Sequence, residues 1–509
     1  MALSAPDTRR APSTGSALWR EVKRARRLLA MALVGLACSE ANPELNHAPR
    51  SDDQGLERCD LDGTLALCGQ TVVWENRQLE SGRRLRLHYA VLRAYSSSPA
   101  KDAVFFLAGG PGQSAVTLAH DMAPLLDAVR RERDIVFLDQ RGTGRSNPLT
   151  CELADPDDAQ DQFRTDLDST KLEQCVARLD ADTTQYTTEA AVADLDEVRR
   201  ALGYEQVNLI GASYGTRLAL AYARHHSASL RSMVLDGVAP PQLRLFLDFL
   251  PDGQRALDQA FDYCERNADC SESYPSLRQD FAELMERLRK RPLLAKVRHP
   301  ETGEELELTL TADAFASAVR GMLYSAEVSQ LLPVVIEQVA RGKLEALLTQ
   351  SMLVSHSVQQ TMSLGLLLSV ACAEDLPRVG DAELTEYARH SFLPASGVLE
   401  MEHACKLWPH AKYDPAGSEP VVSSVPTLLL SGELDPATPP RWADLALEGL
   451  DRGLHVIVPG QGHGTLAVGC VPKLVGRFIR DASSSGLDTS CVNGLERPRF
   501  FLDLLGPRP

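Results

Sequence analysis

The sequence predicts an α/β fold: a mostly parallel central sheet with flanking helices and a large, mainly helical cap inserted after the sixth core strand. Three observations carry this. Short apolar, β-prone runs alternate with helix-length segments up to about residue 240 and again after residue 421. Several of these runs end directly in glycine-rich turns. Between Pro241 and Val421 the alternation stops and helical patterns replace it.

The elements follow in chain order. Arg20, Lys23, Arg24, Arg26 and Arg27 precede the apolar run Leu28 to Ala37, which is too short to span a bilayer but suits the core of an export signal. Cys38 follows at once, in a context that resembles the lipobox of bacterial lipoproteins, although Gly35 stands where leucine is usual. Residues 1–38 are therefore expected to be a signal segment with Cys38 as a lipidation candidate, and residues 39–58 a polar tether. An exported bacterial protein, secreted, periplasmic or lipid-anchored, is the implied setting.

Leu85, Leu87, Tyr89 and Val91 alternate as a half-buried strand that opens the sheet. Ala103 to Leu107 is wholly apolar, an interior strand, and runs into Ala108-Gly109-Gly110-Pro111-Gly112. Asp134 to Leu138 is the next strand; in the loop after it, Asp139, Arg141 and Arg145 are expected to pair with each other and with backbone carbonyls. Thr188 to Ala201 reads as a helix with Leu195 and Val198 inward and Asp194, Asp196 and Glu197 outward. Val207 to Ile210 is a strand, Gly211-Ala212-Ser213-Tyr214-Gly215 a sharp turn, and Thr216 to Arg224 a helix. Leu230 to Leu235 is a strand ending at Asp236. Residues 59–240 thus form the first part of the core.

Residues 241–421 form the cap, with helices over 253–265, 277–291, 311–323 and 328–340 and a β-like excursion over 295–310. A cap at that point covers the strand ends, where α/β sheets hold their ligands. Residues 422–509 return to the core: a strand at Pro426 to Ser431 ending in Gly432-Glu433-Leu434-Asp435, a strand at Leu454 to Val458 ending in Gly460-Gln461-Gly462-His463-Gly464, and a helix over 471–482.

Composition narrows the function. The chain has 509 residues, 44% of them hydrophobic, and a net charge of −16, which argues against nucleic acid as a partner. Of eleven cysteines, an even number remains once Cys38 is set aside, as an oxidising compartment favours. Sequence neighbours suggest Cys59–Cys68, Cys151–Cys175, Cys264–Cys270, Cys372–Cys405 and Cys470–Cys491, although connectivity cannot be deduced from sequence. No C-x-x-C pair or H-E-x-x-H occurs, so neither a metal nor another cofactor is expected.

Strand, G-x-S-x-G, helix is the arrangement that lifts a serine hydroxyl to the apex of a strained turn. A serine is a weak nucleophile until a base takes its proton, and the base needs an orienting carboxylate. Asp435 and His463 each sit in a glycine-rich loop directly after an apolar strand, with room between them for one helix and one strand. The order Ser213, Asp435, His463 is that of α/β-hydrolases. The other eleven histidines lack this context. Asp236 also ends a strand and competes with Asp435 for the acid's role. Backbone N–H groups of Tyr214 and of Gly109 or Gly110 are the candidate oxyanion donors.

Gly109-Gly110-Pro111-Gly112, DQRGTGRS from Asp139 to Ser146, GASYG around Ser213, GELDPATP around Asp435 and GQGHG around His463 together resemble the proline iminopeptidase and tripeptidyl aminopeptidase family of α/β-hydrolase serine peptidases, over about residues 68–479. The resemblance is greatest to the exported, tripeptidyl-aminopeptidase-like branch, including its C-terminal part. Ala108 departs from it, since many relatives carry histidine there. The resemblance implies an exopeptidase acting at the free N-terminus of peptides, whose ammonium group needs a nearby carboxylate; Glu374, with Asp375 second, matches a recurring acidic motif. The alternative is a secreted esterase or lipase with the same three residues. A binding protein on an inactive hydrolase scaffold is the third possibility. Oligomeric state and side-chain preference are left open.

Overall fold

The computed structural model describes residues 55–155, 158–300 and 302–507, apart from the side chains of 354–360. The signal segment and Cys38 lie outside the described residues, and so does most of the tether; its last two residues open the first strand. All described residues fall in one compact unit.

Among the described residues nine strands form one sheet: β1 (Glu57–Leu61), β2 (Thr64–Trp74), β3 (Arg84–Leu92), β4 (Ala103–Leu107), β5 (Ile135–Leu138), β6 (Val207–Ala212), β7 (Leu230–Asp236), β10 (Thr427–Gly432) and β11 (Gly453–Val458). Two more, β8 (Leu293–Arg298) and β9 (Glu305–Leu310), pair as a separate hairpin where the β-like excursion was expected. The order across the sheet is β1-β2-β3-β5-β4-β6-β7-β10-β11. The β1, β2 and β3 edge is antiparallel, and from β5 to β11 every pair is parallel. Strands β4 and β5 are buried at every residue, which explains their uninterrupted apolar sequence. Alternate residues feed two cores: Phe105, Leu107, Leu209 and Leu235 face one side, Val104, Phe106, Ile210 and Val234 the other.

The cap follows the seventh strand of the sheet in chain order, where the sequence places it after the sixth. The hairpin β1–β2, closed by Cys59–Cys68, supplies strands ahead of the one that the alternation picks out. All five cystines join the suggested neighbours.

The helices used below are α1 (Thr188–Ala201), α2 (Tyr214–His226), α3 (Phe249–Arg266), α4 (Leu277–Lys290), α5 (Ala312–Leu323), α6 (Leu332–Ala340), α7 (Pro440–Leu447) and α8 (Val471–Asp481). Thr187 caps α1 and Thr311 caps α5, each accepting a backbone N–H three residues on. Val471, Leu474, Val475, Phe478 and Ile479 bury one stripe of α8 against the sheet. The expected helix over 328–340 is two, with Pro333 in the first turn of α6, where a missing N–H costs nothing. Among the described residues no helix is long and apolar enough to cross a membrane.

Two expectations about charged residues fail. Asp194 and Asp196 are buried, each 1% exposed, rather than outward. Asp194 binds Arg141 and Arg77, while Asp196 binds Arg199, Arg200 and the Tyr222 hydroxyl. Their burial is tolerable because each carboxylate is paired and hydrogen-bonded. Arg145 is exposed, and only its backbone N–H joins the loop, donating to Asp139 Oδ2 at 3.1 Å. Arg141 does as expected, reaching the carbonyls of Glu75 and Gln185.

Candidate active site

The chain turns sharply from β6 into α2 at Ser213, whose φ of 54° and ψ of −122° are rare for a residue with a side chain. The turn is over-determined by its neighbours. Ser213 N–H donates to the Asp236 carbonyl at 2.9 Å, and the Thr216 N–H and hydroxyl both donate to the Ser213 carbonyl, at 2.9 and 2.6 Å. A Cβ on Gly211 would stand 2.5 Å from the Gly215 carbonyl oxygen, and one on Gly215 would run into the Leu107 carbonyl of β4. Both glycines are therefore required by close backbone approach. Ser213 Oγ makes no hydrogen bond among the described residues.

The loop after β4 passes directly beside this serine: a Cβ on Gly109 would lie 3.0 Å from Ser213 Cβ. Asp139 fastens that loop, accepting from the Ser114 hydroxyl at 2.6 Å and from Val116 N–H at 3.1 Å. The cap fastens it from above through Ser363 N–H to the Gly112 carbonyl, 2.9 Å. Tyr214 is the first residue of α2, so its N–H has no partner within the helix and stands at the positive end of the helix dipole. The structure thus brings Tyr214, Gly109 and Ser213 together, with Gly110 next in the loop at a φ of 106°.

Because β6, β7, β10 and β11 run parallel, the loops after them open on one rim. Asp435 follows β10 and is fully buried; its Oδ2 accepts from His463 Nδ1 at 2.8 Å. The same carboxylate accepts from the Ala437 and Thr438 N–H groups at 2.7 and 2.8 Å and from the Thr438 hydroxyl at 2.9 Å. Burial raises its pKa, but His463 and these donors outweigh it and hold the carboxyl below its usual range. For His463, burial favours the neutral ring, yet the charge and hydrogen bond of Asp435, helped by Asp236, carry its pKa above the ordinary value. The imidazole lies over Gly237, where a Cβ would be 3.0 Å from its Cε1. Gly237 directly follows the residue whose carbonyl takes the Ser213 N–H.

Asp236 has a different task. Its oxygens accept the N–H and hydroxyl of Thr465 at 2.8 to 2.9 Å and the N–H of Leu466 at 3.0 Å, so it braces the loop beyond the histidine. Burial dominates and pushes its pKa up.

Glu374 lies on the cap beside α1. It accepts from the Thr188 N–H at 2.8 Å and from the Thr188 hydroxyl at 2.7 Å, and its side chain keeps 25% exposure. The Thr188 hydroxyl is in turn 2.7 Å from that of Tyr214, the residue after Ser213. Burial raises the pKa of Glu374, with Arg217 and Thr188 opposing. Asp375 is fully buried, its carboxylate shared by Arg217, Arg378 and the Leu245 N–H. Among the described residues no group of three or more His, Cys, Asp or Glu converges as metal ligands would.

Sequence reasoning misses two neighbours of His463. Thr438 hydrogen-bonds Asp435 and lies 3.1 Å from Nδ1, and the cap residue Tyr324 accepts the His463 backbone N–H at 2.7 Å. The PAT tripeptide after Asp435 held a faint signal for Thr438, a hydroxyl three residues past a carboxylate. Nothing in the sequence points to Tyr324.

The alpha/beta hydrolase fold family matches residues 102–304, and a family described as TAP-like protein matches residues 393–491. The chain is 24% identical over 418 residues to the putative hydrolase YuaR of Escherichia coli K12, covering 77% of this chain and 80% of that protein. It is 24% identical over 472 residues to serine protease Hip1 of Mycobacterium tuberculosis, covering 84% of this chain and 87% of Hip1. Tripeptidyl aminopeptidase of Streptomyces coelicolor is 24% identical over 467 residues, covering 84% and 83%. Fold and relatives together define a serine hydrolase. The chain has the α/β-hydrolase fold, and the relatives it resembles over most of its length include serine peptidases.

Proposed function

We propose that the protein is an aminopeptidase that cleaves peptides near their free N-terminus through a Ser213–His463–Asp435 acyl-enzyme mechanism. The observation that carries this is the 2.8 Å Asp435–His463 bond on the same sheet rim as the strained Ser213 turn. Asp435 holds the Nδ1–H tautomer, leaving Nε2 to take the serine proton. Ser213 Oγ attacks the scissile carbonyl, and the Tyr214 and Gly109 or Gly110 N–H groups receive the oxyanion. His463 returns the proton to the leaving amine, and water then releases the acyl group by the same steps. The quarter-exposed carboxylate of Glu374, joined to the Tyr214 hydroxyl through that of Thr188, is the acceptor for the substrate ammonium group, and fully enclosed Asp375 supports it through Arg217.

Aminoacyl- and tripeptidyl-nitroanilides, free or acetylated at the N-terminus, assayed beside short nitrophenyl esters, test this. Preference for free amino termini is the expected result, with Ser213→Ala losing on the order of 10⁶ in kcat. Ester turnover with no nitroanilide hydrolysis would make the protein an esterase instead, and substantial Ser213→Ala activity would remove the nucleophile assignment. The five cystines support residence in an oxidising compartment, with Cys38 as the lipid attachment point of an exported chain.

A further inference from the structure

The end of α5 delivers Tyr324 from the cap onto the loop that carries His463. Its carbonyl accepts the His463 N–H at 2.7 Å. Its ring meets the imidazole edge-on, with centroids 5.1 Å apart and planes at 72°. Its hydroxyl accepts from Arg320 Nη2 at 2.6 Å, and the Arg320 guanidinium lies 5.0 Å over the Tyr324 ring and 4.3 Å over that of Phe249. Gly462, immediately before the histidine, permits the approach, since a Cβ there would run into the Tyr324 carbonyl.

Asp435 alone leaves the imidazole tethered at one nitrogen. A second contact on the ring's edge, with a backbone bond at the same residue, defines where Nε2 points. We propose that Tyr324, held in turn by Arg320, is a positioning residue for His463, so that the cap as well as the core orients and dries the base. This rests on the Ser-His-Asp reading above.

The inference has an electrostatic consequence. Among the described residues, the charged groups that bear on His463 are Asp435 from the loop after β10, Asp236 from the end of β7 and Arg320 from α5; Tyr324 and Thr438, which touch it, are neutral. The two carboxylates raise the imidazole pKa, whereas burial and Arg320 lower it. Removing the Tyr324 ring admits water, and removing the Arg320 charge lifts a repulsion. Both changes move the imidazole pKa upward, so the acid limb of kcat/KM moves to higher pH.

The test uses the full-length protein with Tyr324→Ala, Tyr324→Phe, Arg320→Gln and Arg320→Lys. Active sites are counted with a fluorophosphonate, and pH profiles are taken on the best nitroanilide or ester. Tyr324→Ala is expected to lose about 10- to 100-fold in kcat per labelled site with KM within about threefold, as a misplaced base does. Its acid limb, and that of Arg320→Gln, shift alkaline. Tyr324→Phe keeps the ring and the backbone bond and stays near the parent in kcat, and Arg320→Lys restores the parent profile. Should Tyr324→Ala not fold, Arg320→Gln decides alone. An unmoved acid limb in Arg320→Gln, or parental kcat in Tyr324→Ala, overturns the proposal. A parent protein that the fluorophosphonate does not label at Ser213 would instead overturn the underlying mechanism.

Discussion

Replacing Asp435 by asparagine tests the assignment of the acid at the point where two carboxylates compete. Asp435 accepts four hydrogen bonds: two from backbone N–H groups on Oδ1, and those of the Thr438 hydroxyl and His463 on Oδ2. An asparagine that keeps its oxygen toward Ala437 and Thr438 must turn its NH₂ toward Nδ1. Two donors then face each other, and the imidazole relaxes to the Nε2–H tautomer, which cannot accept the serine proton. The expected loss in kcat is on the order of 10⁴, or about 5.4 kcal/mol of transition-state stabilisation. The variant also removes the chief influence that raises the His463 pKa, so the acid limb of its residual kcat/KM moves to lower pH. Stability responds with a definite sign. In the parent, Asp435 has a depressed pKa, so its contribution is present above the ordinary aspartate value and is lost as pH falls through the folded one. Asparagine abolishes that acid-side dependence, which pH-dependent melting reads directly. Asp236→Asn serves as the comparison, with melting temperature as its main casualty because it braces Thr465 and Leu466. A loss below tenfold for Asp435→Asn, together with a 10⁴-fold loss for Asp236→Asn, would refute the assignment.

Four other expectations follow from the site and the fold around it. Glu374→Gln should raise KM for free-amino substrates by about 10- to 100-fold, the worth of one charge-assisted hydrogen bond, and leave acetylated substrates unaffected; equal KM values would free Glu374 of that role. Because burial raises the pKa of Glu374, recognition of the ammonium group in the parent should fail on acidification at a pH above that of an ordinary glutamate. Replacing Cys372 and Cys405 by alanine opens a loop of separation 33 and should cost about 4 kcal/mol, seen as a lower denaturation midpoint. Gly215→Ala should destabilise by about 1–3 kcal/mol or more, since the new Cβ meets the backbone of β4, which cannot give way as a side chain would.

Much of this molecule was legible in the sequence because its strands are buried on both faces and punctuated by glycine. Runs such as Ala103–Leu107 and Thr427–Gly432 have to be interior strands, and parallel strands carry their following loops to one rim. Ser213, Asp435 and His463, each in a loop after such a strand, are placed at one edge by that rule, and the short separations between cysteines match all five cystines. Three-dimensional neighbours were another matter. Asp236 ends β7 and Asp435 lies in the loop after β10, both at the same rim, and the partners around each carboxylate, Thr465 and Leu466 for one and His463 for the other, distinguish them. Asp194 and Asp196 look like the solvent face of a helix, yet Arg77 and Arg141 from distant segments hold the first inside, and Arg199 of the same helix with the Tyr222 hydroxyl holds the second. Periodicity tells which side of an element a residue occupies. It carries no information about which side chain, more than a hundred residues away, arrives to meet it, and for that reason the contact of Tyr324 with the His463 loop was decided by tertiary structure alone.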